Sequence, residues 1–184
     1  AITSKKQPND MKNANNCVIC HLSDESGTDR LSTAIGYKGA TNPHHLNTMT
    51  ILNSSLAKVL TWDGEVKSIE KQISNSIQSS YKMNIKEDEL IEKLSKDEKY
   101  INHFNEVFKE ENSLNFINIQ KSIAAYVKIL LTRSSFDEFL EGDNNAISAT
   151  AKRGLVNFMN FGCAGCHTGM SVGGQSVQRF PLRQ

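Results

Sequence analysis

The chain has 184 residues, of which 38% are hydrophobic, and a formal net charge of +1 at pH 7. This length accommodates one compact unit or two small domains that share an interface. A charge so close to zero argues against nucleic-acid binding and against strong attraction to an anionic membrane surface. The sequence contains no apolar run long enough to cross a bilayer, and its polar first residues lack the apolar stretch of a signal peptide. If the protein is exported, we expect this to be its processed form.

Apolar residues recur at helical spacing along the chain, whereas strand-like alternation is scarce. The predicted helical faces are, in chain order, Met49, Leu52, Leu56, Val59 and Leu60; Val66, Ile69, Ile73, Ile77 and Tyr81; Tyr100, Ile101, Phe104, Val107 and Phe108; and Phe116, Ile119, Ile123, Tyr126, Val127 and Leu130. We expect Asp63 to cap the second helix. A last helix is predicted from Ser148 to Phe161, with Gly162 ending it. The sequence therefore predicts an all-α protein.

Two segments lack helical spacing. The first runs from Leu22 to Asn47 and contains the pair His44 and His45, and a loop of this length in a compact domain is usually functional. The second is residues 141–146 (EGDNNA), whose turn-forming composition predicts a linker. We therefore expect an N-terminal domain over residues 1–140 and the start of a C-terminal domain over residues 141–184.

All four cysteines lie in two CxxCH motifs: the first motif is Cys17, Cys20 and His21, and the second is Cys163, Cys166 and His167. Two thiols at this spacing add to the two vinyl groups of a haem as thioethers, and the histidine that follows reaches the iron. The alternative is one zinc site made of the four thiolates, which leaves both histidines without a role. The motifs therefore predict two covalent haem c groups, with His21 and His167 as iron ligands.

The sixth ligand of each iron decides between electron transfer and the binding of a small oxidant. His44 and His45 lie on the long loop, where either could bind and release an iron, and the alternative is two solvated loop histidines. Met170 follows His167 too closely to wrap around to the opposite face of the same haem. Trp62 is the only tryptophan. We expect its side chain either to anchor the core or to provide a π-path for electrons between the haems.

Beyond the two motifs, the chain resembles the bacterial di-haem cytochrome c peroxidases, a group that includes the MauG-type enzymes. The resemblance covers nearly the whole chain, and its landmarks are, in order, CVICH, TAIG, NTMTILN, WDG, IQKSIAAYVKILLTRSSFDEFLEGD, AKRGLVNFMNFGCAGCH and GGQS. The order and spacing of these blocks are much more specific than two CxxCH motifs alone.

The resemblance implies two mostly helical cytochrome-c-like domains in the bacterial periplasm. It assigns peroxide reduction to the haem of His21, and electron entry from a small cytochrome or copper protein to the haem of His167. It places Trp62 between the haems as an electron relay. It makes Asn47 the candidate ligand of an inter-domain calcium ion, which takes oxygen donors. Members of the family continue past GGQS, so the second domain is expected to be incomplete in this sequence, which ends at Gln184.

The loop that carries the family's releasable histidine departs from the family pattern. That histidine often follows directly after Ile-Gly, where this chain has Tyr37. We expect His44 or His45 to replace it.

The catalytic pair of the family departs as well. An ungapped comparison from WDG places Gln78 at the catalytic glutamine and Lys82 at the glutamate that moves protons. An ammonium group is a proton donor with no acceptor and a poor base. We expect impaired acid–base catalysis unless desolvation lowers the pKa of this amine, or Glu87 or Asp88 substitutes for the glutamate. The alternative is that the comparison slips in a loop and Lys82 is a solvated residue.

Three functions are compatible with these residues. The leading interpretation is an oxidoreductase that reduces hydrogen peroxide to water with electrons from a periplasmic donor. The alternatives are a non-enzymatic di-haem electron-transfer cytochrome on the same scaffold, and MauG-like oxidation of a partner protein. A half-covered second haem would expose a large apolar surface, which predicts association with another chain, such as a homo-oligomer.

Overall fold

A computed structural model describes residues 16–22 and 25–179. Within these ranges, β-pairing is limited to two isolated bridges, Leu22–Thr28 and Ile35–Thr41. The helices are α1 (Cys17–Cys20), α2 (Ile69–Gln78), α3 (Glu87–Ser95), α4 (Glu98–Phe108), α5 (Phe116–Lys128), α6 (Ser135–Leu140) and α7 (Ala149–Asn160). Three 3-10 turns, Tyr37–Gly39, Ser54–Leu56 and Cys163–Gly165, complete the regular structure. The predicted all-α class is confirmed.

Helices α2 and α5 pack against each other and form the centre of the fold. One cluster of buried side chains contains Ile69, Ala124 and Val127, and a second contains Ile77, Ile85 and Phe116. Ile73 and Ile123 are half-buried and pack against both clusters, which makes the core continuous along the helix pair. Each buried branched side chain contributes about 1.5–3 kcal/mol relative to an exposed one. The charged run from residue 86 to residue 99 forms α3 and the start of α4, which pack together beside this core.

Polar side chains cap the helices of the core. The Oγ of Ser68 accepts a hydrogen bond from the Lys71 N–H at 3.1 Å and begins α2, and Asn115 caps α5 in the same way. Asp63 was expected to cap α2, and this expectation is wrong. Asp63 lies five residues before Ser68 in a turn, where its Oδ1 accepts hydrogen bonds from Thr61 Oγ1 at 2.5 Å and from the Glu65 N–H at 3.1 Å. Its carboxylate therefore stabilises a turn and not a helix end.

The helix predicted over Met49–Leu60 is also wrong, because this segment holds only the 3-10 turn Ser54–Leu56. Its polar groups bond to distant parts of the chain. Thr50 Oγ1 donates to Ser26 O at 2.6 Å, and Asn53 exchanges two hydrogen bonds with Thr132, of 2.7 and 2.8 Å. These bonds, together with the left-handed backbone of Asn53 (φ +56°), replace the i to i+4 pattern of a helix.

The other predicted helices are present as α2, α4, α5 and α7. The predicted apolar faces of α2 and α5 extend a few residues beyond the ends of these helices. Helix α7 begins after Ser148, and Gly162, with φ +77°, supplies the left-handed residue beyond its end. Residues 141–146 lie in turns between α6 and α7. The longest helix in the described ranges has 13 residues, and no helix there is long and apolar enough to span a bilayer.

Candidate haem site

The first motif opens into a cavity of about 1340 Å³, which we call the first-motif cavity. Cys17, Cys20 and His21 line it, together with side chains of the loop that follows, of α2 and of α5. Its apolar wall includes Ile35, Leu46, Met49, Leu52, Leu56, Val59, Leu60, Ile69, Ile73, Ile123 and Val127. Pockets for small organic ligands commonly measure about 300–1,000 Å³, so this cavity accommodates a larger cofactor. The apolar residues once expected to form a helix over Met49–Leu60 instead supply much of this wall.

His21 is oriented as a metal-binding imidazole. Its Nδ1 lies 3.1 Å from Gly27 O, and because a carbonyl oxygen only accepts, Nδ1 carries the proton and the Nε2 lone pair is left for a ligand bond. Burial lowers the pKa of His21, and this is the largest effect on that group. The imidazole is therefore held neutral, which is the form that binds iron.

The two thiols of the first motif lie on one short helix, three residues apart, and therefore on the same side of α1. Cys17 is exposed and Cys20 is half-buried, with its Sγ donating to Ile35 O at 3.8 Å. Burial, followed by the nearby Asp29 carboxylate, raises the pKa of the Cys20 thiol. Two free thiols beside a large apolar cavity fit the donor set that covalent haem attachment requires.

The second motif repeats this arrangement after α7. Cys163, Cys166 and His167 are all exposed, and the 3-10 turn Cys163–Gly165 brings them together. His167 Nδ1 lies 3.2 Å from Val172 O, so its proton is also fixed on Nδ1. The Phe158 ring stands edge-on to this imidazole, with 5.8 Å between ring centroids. The residues of both motifs therefore fit a haem with a histidine ligand.

The structure separates the two loop histidines. His44 lines the first-motif cavity, and its backbone N–H donates to Oδ1 of the buried Asn42 at 2.9 Å. His45 is exposed, with φ +53°, and is not among the lining residues. Asn47 also reaches the cavity, and its Nδ2 donates to Thr48 O at 3.4 Å.

The C-terminal segment, which we define as residues 168–177, reaches the first-motif cavity. Met170, Ser171 and Val172 line it, although they belong to the turn that follows the second motif. Trp62 is 55% exposed and lines the same cavity, and its neighbour Gly64 lies against the Val177 side chain. Trp62 is thus neither buried in the core nor remote from the second motif. No local sequence signal could have revealed this contact.

The structure does not bring Gln78 into the cavity. Gln78 is the last residue of α2, is exposed, and donates from Nε2 to Ser74 Oγ at 3.0 Å. Gln72, one and a half turns earlier, lines the cavity instead, and its Oε1 is buried without a hydrogen-bond partner in the described ranges. The helical period offered a signal, because Gln72 and Ser76 lie one turn apart beside Ile73, on the face that points inward.

Lys82 also lines the cavity and is half-buried, which does not fit a solvated loop residue. Burial is the main effect on this group and lowers the pKa of its amine, while Asp63 and Cys20 act in the opposite direction. Glu87 and Asp88 are exposed in the first turn of α3 and are not lining residues. Neither carboxylate is placed to replace Lys82 as a base in the cavity.

Comparison with known proteins agrees with the donor sets of the two motifs. A family model described as di-haem cytochrome c peroxidase matches residues 10–145. The chain is 33% identical over 168 residues to the cytochrome c551 peroxidase of Pseudomonas aeruginosa, covering 90% of this chain and 48% of that protein. It is 35% identical over 170 residues to the cytochrome c peroxidase Ccp of Escherichia coli, covering 91% of this chain and 36% of that protein.

A solved structure has the same fold. A MauG-like protein associated with microbial copper homeostasis superposes with a TM-score of 0.77, over 95% of this chain and 53% of that chain, at 23% identity. The chain therefore spans about half of the length of that protein and half or less of the two peroxidases. Since the family model matches most of its residues, the chain belongs to the di-haem cytochrome c peroxidase family.

Proposed function

We propose that the protein reduces hydrogen peroxide to water in the bacterial periplasm, with electrons from a small cytochrome c or copper protein. The reaction consumes one H2O2, two electrons and two protons and releases two waters. The observation that carries this proposal is that the first motif and the Gln72 side chain line one cavity of about 1340 Å³. A haem held there by Cys17, Cys20 and His21 would supply the redox chemistry of peroxide reduction.

Both haems are proposed to be attached covalently, to Cys17 and Cys20 and to Cys163 and Cys166. In each motif two free thiols precede a histidine with its proton fixed on Nδ1, and this supports the attachment. We expect the intact mass of the holoprotein to include two haems, and a pyridine haemochrome spectrum of the c type. A haem that is lost on extraction with acidified solvent would contradict covalent attachment.

Gln72 is the residue that we propose to orient peroxide. Its side chain lines the cavity, and an amide group offers a peroxide molecule both N–H donors and an oxygen acceptor. Gln78 provides a matched control, because it lies on the same helix and is exposed.

Stopped-flow mixing of the half-reduced holoprotein with hydrogen peroxide, with reduced cytochrome c as the reporter, tests both points. We expect donor oxidation that matches peroxide loss, and a decrease of about 100-fold in Gln72→Leu, since small losses of positioning have effects of this size. Gln78→Leu should behave as the parent protein. Equal rates in all three proteins would exclude a role for Gln72, and absence of peroxide loss in the parent would exclude the peroxidase.

His44 is proposed as the releasable ligand of the first iron, and not His45. Both histidines are exposed, but His44 lines the cavity and His45 does not, and this difference supports the choice. His44→Ala should change the absorbance spectrum of the oxidised protein, and His45→Ala should leave it unchanged. The opposite pattern would assign the ligand to His45.

Electrons are proposed to enter at the haem of His167 and to pass Trp62 on their way to the first motif. The contact between Gly64 and Val177, which joins the Trp62 turn to the C-terminal segment, supports this path. Trp62→Leu should slow the oxidation of the second haem after peroxide is added, and should leave the reduction of that haem by the donor unchanged. An unchanged rate of electron transfer between the two haems would show that Trp62 is not on the path.

The inter-domain calcium is proposed to take the Oδ1 of Asn47, the amide oxygen that remains after Nδ2 donates to Thr48 O. The residues that the structure describes hold no cluster of three or more histidine, cysteine or acidic side chains for a metal, so carbonyl and amide oxygens would have to dominate such a site. The division into domains at residues 140 and 141, the homo-oligomer and the export of the chain stay predictions.

The second candidate function is electron transfer without peroxide chemistry. Lys82 favours it, because an amine stands in the cavity where the resemblance implies a glutamate, and no carboxylate of α3 replaces it. The stopped-flow experiment separates the two functions. An electron carrier would leave peroxide unconsumed while both haems still exchange electrons with a dye.

A further inference from the structure

Lys82 is the only lysine or arginine among the described residues that line the first-motif cavity. Cys20 and His21 line the same cavity, so Lys82 and the first motif border one space. The carboxylates of Asp63 and Asp137 and the imidazole of His44 also line the cavity. Of these, only Asp63 has a resolved electrostatic effect on Lys82.

The amine of Lys82 has no anionic partner within the part of the chain that the structure describes. The basic residues that pair with carboxylates, at 2.5–2.9 Å, are Arg30, Lys93, Lys96, Lys128 and Arg133. Lys82 Nζ has no such contact within 4.0 Å in the described ranges and donates no hydrogen bond there. The Tyr81 ring centroid lies 6.0 Å from Lys82 Nζ.

The backbone holds this amine at the cavity despite its flexible side chain. Lys82 O accepts a hydrogen bond from the Tyr37 N–H at 2.6 Å, and the Lys82 N–H donates to Ser79 O at 3.0 Å. Gly36 packs directly against the Tyr81 and Lys82 carbonyl groups, where a side chain would not fit. The Lys82 backbone is therefore clamped between the end of α2 and the loop.

We propose that Lys82 makes the first-motif cavity a binding site for small inorganic monoanions, such as azide or nitrite, beside the iron held by His21. A lysine ammonium offers three donors, and its attraction for an anion is stronger in a cavity with apolar walls than in water. The lowered pKa of Lys82 agrees with an ammonium that has lost water without gaining an anion. The inference rests on the haem that the proposed function places at the first motif, but not on peroxide turnover.

Azide titration of the half-reduced holoprotein, followed by the absorbance of the first haem, tests the proposal. Lys82→Met removes the charge and keeps the side-chain length, and we expect the dissociation constant for azide to rise at least about tenfold. Lys82→Arg should restore the affinity to within about threefold, because it returns the positive charge. Carbon monoxide, a neutral ligand, should bind the fully reduced parent and Lys82→Met equally well.

Lys86→Met is the matched control, because Lys86 is exposed and does not line the cavity. It occupies the N-cap position of α3, and its side chain makes no capping hydrogen bond. It should leave the azide affinity unchanged. The proposal is overturned if the parent binds no azide, if Lys82→Met binds it as the parent does, if Lys86→Met loses as much affinity, or if carbon monoxide affinity falls in parallel. The expected azide pattern without peroxide consumption would support the anion site and exclude the peroxidase. Peroxide consumption without the azide pattern would support the peroxidase and exclude the anion site.

Discussion

Gly36 is the residue at which the long loop comes closest to the segment after α2. A Cβ at this position would overlap Tyr81 O and lie 2.6 Å from Lys82 O, both of them backbone atoms that cannot rotate away. We expect Gly36→Ala to destabilise the holoprotein by about 1–3 kcal/mol, the usual cost of overpacking, and to change the spectrum of the first haem. Thermal unfolding and absorbance spectra measure both effects.

Gly154 supplies the control for this substitution. It lies inside α7, and a Cβ there would meet nothing within 4 Å. Gly154→Ala should therefore stabilise the protein by about 0.5–1 kcal/mol, because glycine is unfavourable in a helix interior. Equal effects of the two substitutions would contradict the contact described at Gly36.

Lys82 should make stability depend on pH. Burial lowers its pKa in the folded protein below the value in the unfolded chain, so the charged amine destabilises the folded state at any pH below the folded pKa. This penalty disappears as pH rises past the unfolded value of about 10.4. Lys82→Met should therefore raise the melting temperature at pH 7, and the gain should shrink toward pH 10.5. Lys86→Met serves as the control variant, because Lys86 is exposed and does not line the cavity.

The chemistry of single residues was predictable from the sequence where it depends on neighbours in the chain. The two CxxCH motifs are of this kind, because attachment needs only two thiols and an imidazole in a row. The position of Gln72 in the cavity wall, where Gln78 was expected, was not predicted, since the helix face on which a residue lies decides whether it reaches the cavity. His44 and His45 are adjacent, and only the fold separates them.

Among the helices, α2 carries a cap whose contribution is directly measurable. Ser68→Ala removes the acceptor for the Lys71 N–H and should destabilise the protein by about 1 kcal/mol. Ser80→Ala is the control, since Ser80 is exposed just beyond α2 and has no side-chain hydrogen bond in the described ranges. Chemical unfolding of both variants gives the two free energies. A loss in Ser80→Ala as large as that in Ser68→Ala would show that Ser68 does not cap α2.

Helices that pack against another helix were predictable, whereas the segment that lines a cofactor cavity was not. In α2, α5 and α7 the apolar period coincides with a capping residue, and both signals are local. The segment 49–60 has apolar residues at similar spacing, but they face the first-motif cavity from an irregular backbone. The spacing of apolar residues along a sequence shows only that they share apolar surroundings. A cavity for a large apolar cofactor provides such surroundings, just as a packed helix does.

At the scale of the whole molecule, the contact between Gly64 and Val177 joins the two halves of the chain. Gly64 has φ +74°, and a Cβ there would overlap the Val177 side chain. Gly64→Ala should destabilise the protein by about 2–4 kcal/mol, from backbone strain of about 1–2 kcal/mol and from overpacking. Adding Val177→Ala should recover the overpacking part and leave the strain.

A double-mutant cycle on the free energy of unfolding gives the coupling between these two positions. We expect the two substitutions together to cost less than the sum of their separate costs. Strict additivity would show that the C-terminal segment is not packed on the Trp62 turn. The helical fold class was predictable from composition and period, but this contact was not, because it joins residues more than a hundred positions apart.

The wall formed by Met170, Ser171 and Val172 also has a consequence for biosynthesis. A chain is made from its N-terminus, so Cys17, Cys20 and His21 emerge long before the residues that complete the first-motif cavity. Until residue 172 has arrived, the cavity lacks this wall. We therefore expect a haem to enter the first-motif cavity faster before residues 170–172 have packed on it than afterwards.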